Sequence, residues 1–529
     1  MRIGRRVAQF CHIGRRRAWR GAAVALGLLP ALLACSSNEP GTVGFLFAPD
    51  FKAGIVTDEP RAALIARDIL AAGGNAADAA VAAYFTLSVT MPNAAGLGGG
   101  GVCLVHDAAK KTTDVFDFLP RSAKGGLVAV PGNVRGMAAI NARYGKLAWS
   151  QLVAPAAGIA SNGGAVSRAL ASELAAAGSR LTEDPQMAAI FTKEGGMPLA
   201  ESDNLRQVDL GAALERIRVN GVNELYSGQL GHALAQAAQS IGAPLTIDDL
   251  RSAKATAYPP LEIAVGDHQL LFPAPPSAGG VLAAQMVEAL GLGNADDGAS
   301  VAKAVNGLVA DRDSWMKPGG DASKPAAELL SEEHVHAAIA AKSDAPAAAM
   351  TENPSATGLV AIDNDGQGVA CEFTMNAPFG ADRIAPGTGI ILAPAPNTKG
   401  AGFSATGPLM LANQYTGKLF FLAAGGGGAP AAIAKGALFD AVSRGKKPLG
   451  QALQAGRLFA DGAGDVFLED SASGKEGAIA GAGFKVTKSG TLGLINAIYC
   501  PRGAPNGMDQ CELRNDFRGN GLVTTVNQK

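Results

Sequence analysis

Past residue 355 the chain breaks into short, almost wholly apolar runs, and this texture constrains its fold more than any other feature. Segments 358–362, 368–375, 388–392 and 419–423 are separated by an Asp-Asn-Asp-Gly turn and by Gly/Pro turns, and 466–467 and 492–499 look similar. Short apolar runs bounded by turn formers are the pattern of strands covered on both faces. The cover has to come from the first half. There, 61–83 (broken by Gly73-Gly74-Asn75), 134–217 and 280–290 carry helical periodicity, and helices are expected to continue to about residue 350. Strands at 102–105, 115–118 and 269–272 interrupt them. A helical half followed by a strand-rich half implies an α/β chain with sheets buried between helical layers.

The N-terminus reads as a targeting segment. Seven arginines (Arg2, Arg5, Arg6, Arg15, Arg16, Arg17 and Arg20) precede an apolar run over 21–33, too short to cross a bilayer as a helix. The run ends Leu32-Leu33-Ala34-Cys35, followed by Ser36-Ser37-Asn38. This is similar to a bacterial lipobox, in which the cysteine becomes the lipidated first residue of the mature chain. The alternative is an ordinary signal peptide with an incidental cysteine. The expectation is a signal peptide over 1–34, acylation at Cys35, and a tether over 35–55. Membrane contact would then come from acyl chains, on an exported protein of the periplasm or outer membrane. Arg5-Arg6 leaves the export route open.

The remaining 529-residue composition excludes several classes. A formal net charge of -1, with no basic stripe interleaved with aromatics past residue 40, gives no electrostatic basis for binding nucleic acid. Six scattered histidines and cysteines without ligand spacing support neither a metal site nor a cofactor. Gly98-Gly99-Gly100-Gly101 precedes its strand, with no Lys-Ser/Thr pair to close it, which argues against a phosphate loop. Cys500 and Cys511 are expected to pair outside the cytoplasm, and Cys103 and Cys371, in apolar runs, to act as small buried hydrophobes.

Four segments in order carry a resemblance. Gly73-Gly74-Asn75-Ala76-Ala77-Asp78-Ala79-Ala80-Val81 reads GGNAxDAAV, and 92–101 leads through a four-glycine entry into Cys103-Leu104-Val105. Val130-Pro131-Gly132-Asn133-Val134-Arg135-Gly136 and Pro275-Pro276-Ser277-Ala278-Gly279-Gly280 complete the set. The chain resembles the γ-glutamyltransferase (glutathione hydrolase) family from about residue 55 to Asp516-Phe517-Arg518. The resemblance implies an N-terminal-nucleophile hydrolase αββα sandwich, with a large-subunit-like region over 56–355 and a small-subunit-like region over 356–529. It also implies self-cleavage before a threonine, whose hydroxyl attacks the substrate amide while its freed amine serves as base.

On that pattern the nucleophile position falls on Ala356, counted without gaps from Thr374 and from the Asp363 turn. Thr357 is the candidate displaced nucleophile; the alternative is that it is an ordinary strand residue, turned to the other face. Thr374 and Asn376 match the family's neighbours of the nucleophile. Gly427 and Gly428, within Gly425-Gly426-Gly427-Gly428, match its oxyanion element, unless they form only a tight strand-to-helix turn. Leu119 stands where the family has an arginine for the substrate carboxylate. Arg121, two residues on and expected on the same strand face, is the candidate replacement. Asn397 stands where an acid would hold the ammonium, and the serine pair implied near 409–413 is absent.

Three functions remain on the sequence. One is a γ-glutamyl amide hydrolase or transferase acting on glutathione or a related small molecule or peptide, and a second is an uncleaved envelope protein that binds a peptide or amino-acid ligand. The third is an amidase whose acyl group lacks the glutamyl zwitterion.

Overall fold

A computed structural model describes residues 51–317, 322–341, 356–396 and 406–527. Cys35 and Asn397, and with them the signal and acylation readings, lie outside the described residues.

Two large antiparallel sheets form the centre of the fold, beside smaller sheets of two and three strands. The first is built from β1 (Phe51–Thr57), β2 (Gly100–Asp107), β3 (Thr112–Phe118) and β4 (Thr256–Tyr258). The second takes β5 (Leu261–Val265) and β6 (His268–Phe272). The strand-rich half then adds β7 (Ala356–Ile362) and β8 (Gly368–Thr374) to the first sheet, and β9 (Leu409–Ala412), β10 (Leu419–Gly426), β11 (Leu494–Ala504) and β12 (Glu512–Arg514) to the second. The last strand, β13 (Leu522–Asn527), returns to the first. The orders are β13-β1-β7-β8-β2-β3-β4 and β12-β11-β10-β9-β6-β5. Residues 51–55, expected in a tether, instead open β1, which is held between β13 and β7. The tether expectation is corrected for 51–55 alone, because this strand supplies backbone pairing that no local sequence signal announces; 35–50 lie outside the described residues.

Side-chain alternation sorts the first sheet into two faces. Val102, Leu104, Val360 and Ile362 meet Met410 and Leu422 of the second sheet in one apolar layer. Cys103, Val105, Leu359 and Ala361 face the opposite way, onto helices. Those helices are α1 (Pro60–Ala71), α2 (Ala76–Thr90), α3 (Asn133–Tyr144) and α4 (Trp149–Asn162); α5 (Arg168–Ala177) packs in a separate apolar cluster with Phe379 and Ile384, and α6 (Val208–Asn220) again joins the first group. The far face of the second sheet is covered by α7 (Ala278–Leu292), α8 (Gly298–Trp315) and α9 (Gly428–Ser443). Helices on both outer faces of two packed sheets make the expected αββα sandwich.

All 15 residues of α2 are buried, as befits a helix apolar all round, and its alanines let it approach the sheet closely. Its start explains the GGNAxDAAV segment. Asn75 and Asp78 form a reciprocal capping box, and the side chains of Asp363 and Gln367, from the β7–β8 hairpin, accept the N–H groups of Ala76 and Ala77 at 2.9 and 2.8 Å. The four-glycine run is explained by backbone proximity. A Cβ on Gly98 would lie 2.1 Å from the Ile391 carbonyl oxygen, and one on Gly99 2.3 Å from that of Thr374.

The cysteine expectations are half corrected. Cys500 and Cys511 form a disulfide. Cys103 and Cys371 also form one, because they sit directly opposite on β2 and β8 with Cα atoms 4.1 Å apart. Burial alone made them look like hydrophobes; the strand register makes them partners.

Candidate functional site

The open end of the sandwich, where β7 begins, holds a cavity of about 270 Å3. Ala356, the first residue of β7, lines the wall. Gly426 and Gly427 line it from the end of β10, where the chain turns into α9 at Gly428. That turn needs glycine twice over. Gly427 has φ 108°, and a Cβ on Gly426 would lie 2.0 Å from the Ala356 carbonyl oxygen. Gly427 caps α9 without a side-chain hydrogen bond, so the helix N-terminus is available to polarise a carbonyl oxygen.

Thr357 does not share this wall. It is fully buried, lies on the strand face of Leu359 and Ala361, and donates its hydroxyl to Asp58 Oδ2 at 2.8 Å. Thr374 is the register partner of Ala356 on β8, and its Oγ1 accepts the Asn376 N–H at 2.9 Å. Asn376 adopts φ 60°, which asparagine tolerates, and its Nδ2 donates to the Pro394 carbonyl at 2.9 Å. Neither residue is among those lining the cavity.

Arg121 is not on the strand face of Leu119. β3 ends at Phe118, and after Leu119-Pro120 Arg121 pairs with Val130 in a separate two-residue ribbon. Its guanidinium is half-exposed and donates to Asp117 Oδ2 at 2.7 Å, away from the cavity. Proline at 120 breaks the alternation on which the expectation rested.

Three polar residues were missed by sequence reasoning. Asp58, just past β1, is buried and lines the cavity. Besides Thr357 it accepts the Gly358 N–H at 3.0 Å and Asn496 Nδ2 at 2.9 Å. Burial pushes its carboxyl above the usual range, and those hydrogen bonds pull part of the way back. Glu173, on α5, lines the same cavity and accepts Asn93 Nδ2 at 3.1 Å. Burial raises it too, with a further push from the Asp58 charge. Only the Asp58-Glu59-Pro60 helix start was a signal; nothing local marks Asn93 or Glu173.

Behind the glycine turn lies a fully buried ion pair. Lys435 on α9 is paired with Glu372 on β8. Glu372 also accepts the Gly407 and Gly425 N–H groups at 2.6 and 2.8 Å, and Lys435 donates to the Gly407 carbonyl at 2.6 Å. The pair ties α9 and β8 to the end of β10 at Gly425 and to Gly407.

An αββα sandwich with its cavity at the head of a central strand, beside a glycine turn, defines the N-terminal-nucleophile hydrolase class. At the level of fold the chain is similar to cephalosporin acylase from Bacillus halodurans, with a TM-score of 0.78 and 19% identity over 95% of this chain and all of that one. Residues 62–125 and 119–408 match the family described as gamma-glutamyltranspeptidase, and the chain belongs to that family. It is 32% identical over 366 residues to the glutathione hydrolase proenzyme of Escherichia coli (strain K12), covering 61% of this chain and 63% of the relative. It thus spans less than two thirds of that relative's length. It is also 31% identical over 380 residues to the acylase ACY 1 proenzyme of Pseudomonas sp. (strain V22), covering 64% of this chain and 68% of the relative.

Proposed function

We propose that this family member binds a peptide or amino-acid amide in the cavity beside Ala356 and neither cleaves itself nor turns the ligand over. One observation carries the reading: the residue that lines the cavity at the head of β7 is an alanine, whose side chain is only a methyl group. Attack on an amide carbonyl needs a hydroxyl, thiol or amine at that point, and no relaxation of alanine supplies one. The glycine turn and the α9 N-terminus that would hold a ligand carbonyl remain in place.

The test is a denaturing gel of mature protein under reducing conditions, backed by intact mass. Reductant is essential, because the Cys103–Cys371 disulfide would hold the two halves of a cleaved chain together. A single full-length species that is inert toward a chromogenic γ-glutamyl anilide is expected. Two fragments meeting near residue 356 would overturn the reading.

A second reading is favoured by the Thr357 hydroxyl, which is hydrogen-bonded to a cavity-lining carboxylate, and by relatives whose names call them proenzymes. In it Thr357 is a displaced nucleophile and Arg121 moves to anchor a substrate carboxylate, giving γ-glutamyl hydrolase or transferase activity. Thr374 and Asn376 would brace the reacting strand and Asn397 would hold the substrate ammonium. An acylase-type substrate without the zwitterion is the variant of this reading that needs neither Arg121 nor Asn397. Thr357→Ala, applied to any protein that does cleave, separates it from the first reading.

For location we propose export and acylation at Cys35, supported by the sequence of the N-terminus. The two disulfides agree with an oxidising compartment. Retention in the membrane fraction that Cys35→Ala abolishes is the expected outcome; unchanged fractionation would refute it.

A further inference from the structure

We propose that the cavity beside Ala356 takes a ligand bearing a protonated amine, seated between the carboxylates of Asp58 and Glu173. The inference rests on the binding reading above and names its ligand class.

The argument is one of charge left over. Asp58 and Glu173 line the same cavity from different elements. Every partner of Asp58 is a neutral donor: the Thr357 hydroxyl, the Gly358 N–H and Asn496 Nδ2. Glu173 likewise receives a neutral amide N–H, from Asn93. Neither carboxylate has a cationic partner among the described residues.

A cation does stand in the wall, but it is committed elsewhere. Arg518 donates Nε–H to Glu469 Oε1 at 2.7 Å. Its Nη1 donates to the Leu453 carbonyl at 2.8 Å and Asp516 Oδ1 at 3.2 Å. Its Nη2 donates to the Ala455 carbonyl at 2.9 Å and Glu469 Oε2 at 2.5 Å. A guanidinium has five N–H donors, and these five bonds use them all. Arg121, the expected carboxylate anchor, is on Asp117. Among the described residues the wall therefore has no free side-chain cation for a ligand carboxylate and two acids for a ligand ammonium.

A buried carboxylate with only neutral partners is costly to ionise, and an ammonium brought between two of them removes that cost while satisfying its own charge. Met91, Pro378 and Leu494 complete the wall with apolar surface suited to the hydrocarbon of an amine. The alanine at 356 leaves this space unreactive, which matches a site that holds its ligand.

The test uses the full chain and two probes of equal length and opposite charge, 1,5-diaminopentane and glutarate, titrated by calorimetry at fixed ionic strength. Saturable binding of the diamine and none of glutarate is expected, with Glu173→Gln weakening the diamine by about tenfold or more. Asp58→Asn should do the same; should that variant fail to fold, Glu173→Gln decides alone. Glutarate binding as tightly as the diamine, no diamine binding, or diamine binding untouched by Glu173→Gln would each overturn the inference. The outcome is independent of the gel: a cleaved, active protein that still takes the diamine sinks the binding-only reading and leaves this one standing.

Discussion

Lys435→Met tests whether the buried pair behind the glycine turn has the energetics its geometry implies. Lys435 and Glu372 are each only 1% exposed, so the substitution leaves a carboxylate in the core with two backbone N–H donors and no cation. Breaking a buried ion pair from one side costs about 3–5 kcal/mol, because the remaining charge keeps its desolvation cost and loses its compensation. Against a total stability on the order of 5–15 kcal/mol, that is a large fraction. The companion variant is Lys435→Met with Glu372→Gln. There the charge is gone, the amide oxygen can still accept a backbone N–H, and the amide nitrogen can donate to the Gly407 carbonyl that Lys435 used to serve. The double variant should recover part of the loss, leaving about 1–3 kcal/mol, because the amide nitrogen replaces the acceptor of one of the two backbone N–H groups. Urea unfolding followed by circular dichroism, with all three proteins at one pH and salt, gives the comparison. A single variant that loses less than about 1 kcal/mol, or a double variant no better than the single, would refute the reasoning.

Three further outcomes follow from the same structure. Burial holds the Asp58 proton above its ordinary range, so the folded protein binds it more tightly than the unfolded chain does. Stability therefore falls as pH rises from just below the ordinary aspartate value of 3.8 through the raised value, and Asp58→Asn lacks that fall. Urea midpoints across that window should show the variant gaining on the wild type with rising pH; parallel curves would contradict it. Gly426→Ala would drive a Cβ to 2.0 Å from the Ala356 carbonyl oxygen, where only backbone can yield. It should cost about 1–3 kcal/mol and weaken diamine binding, and a neutral effect on both would count against the close approach. Replacing Cys103 and Cys371 by alanine opens a crosslink of sequence separation 268, against 11 for Cys500 and Cys511, so loop entropy puts the larger loss on the first pair. That loss should be roughly 2–5 kcal/mol by urea unfolding, and equal losses for the two pairs would show that chain entropy is not the cause.

The two-sheet core was legible because strands covered on both faces are nearly all apolar; β10 is so throughout, and β7 and β8 depart from it only at Thr357, Glu372 and Thr374. The start of α2 was legible because a capping box is a local pattern, Asn75 to Asp78, that owes nothing to distant residues. The absence of a hydroxyl at 356 was legible too, since alternation and the Asp363 turn fix the count. What the sequence concealed are pairings across long separations. Cys103 meets Cys371 through strand register, Lys435 finds Glu372 through helix-on-sheet packing, and Asp58 and Glu173 come to line one cavity. Arg121 was misplaced for the converse reason, a proline that ended a strand the alternation had carried one step too far. Apolar period and backbone caps act over a few residues and are written in the chain; the neutralising or stranding of a buried charge depends on which distant group arrives beside it, and only the folded structure decides that.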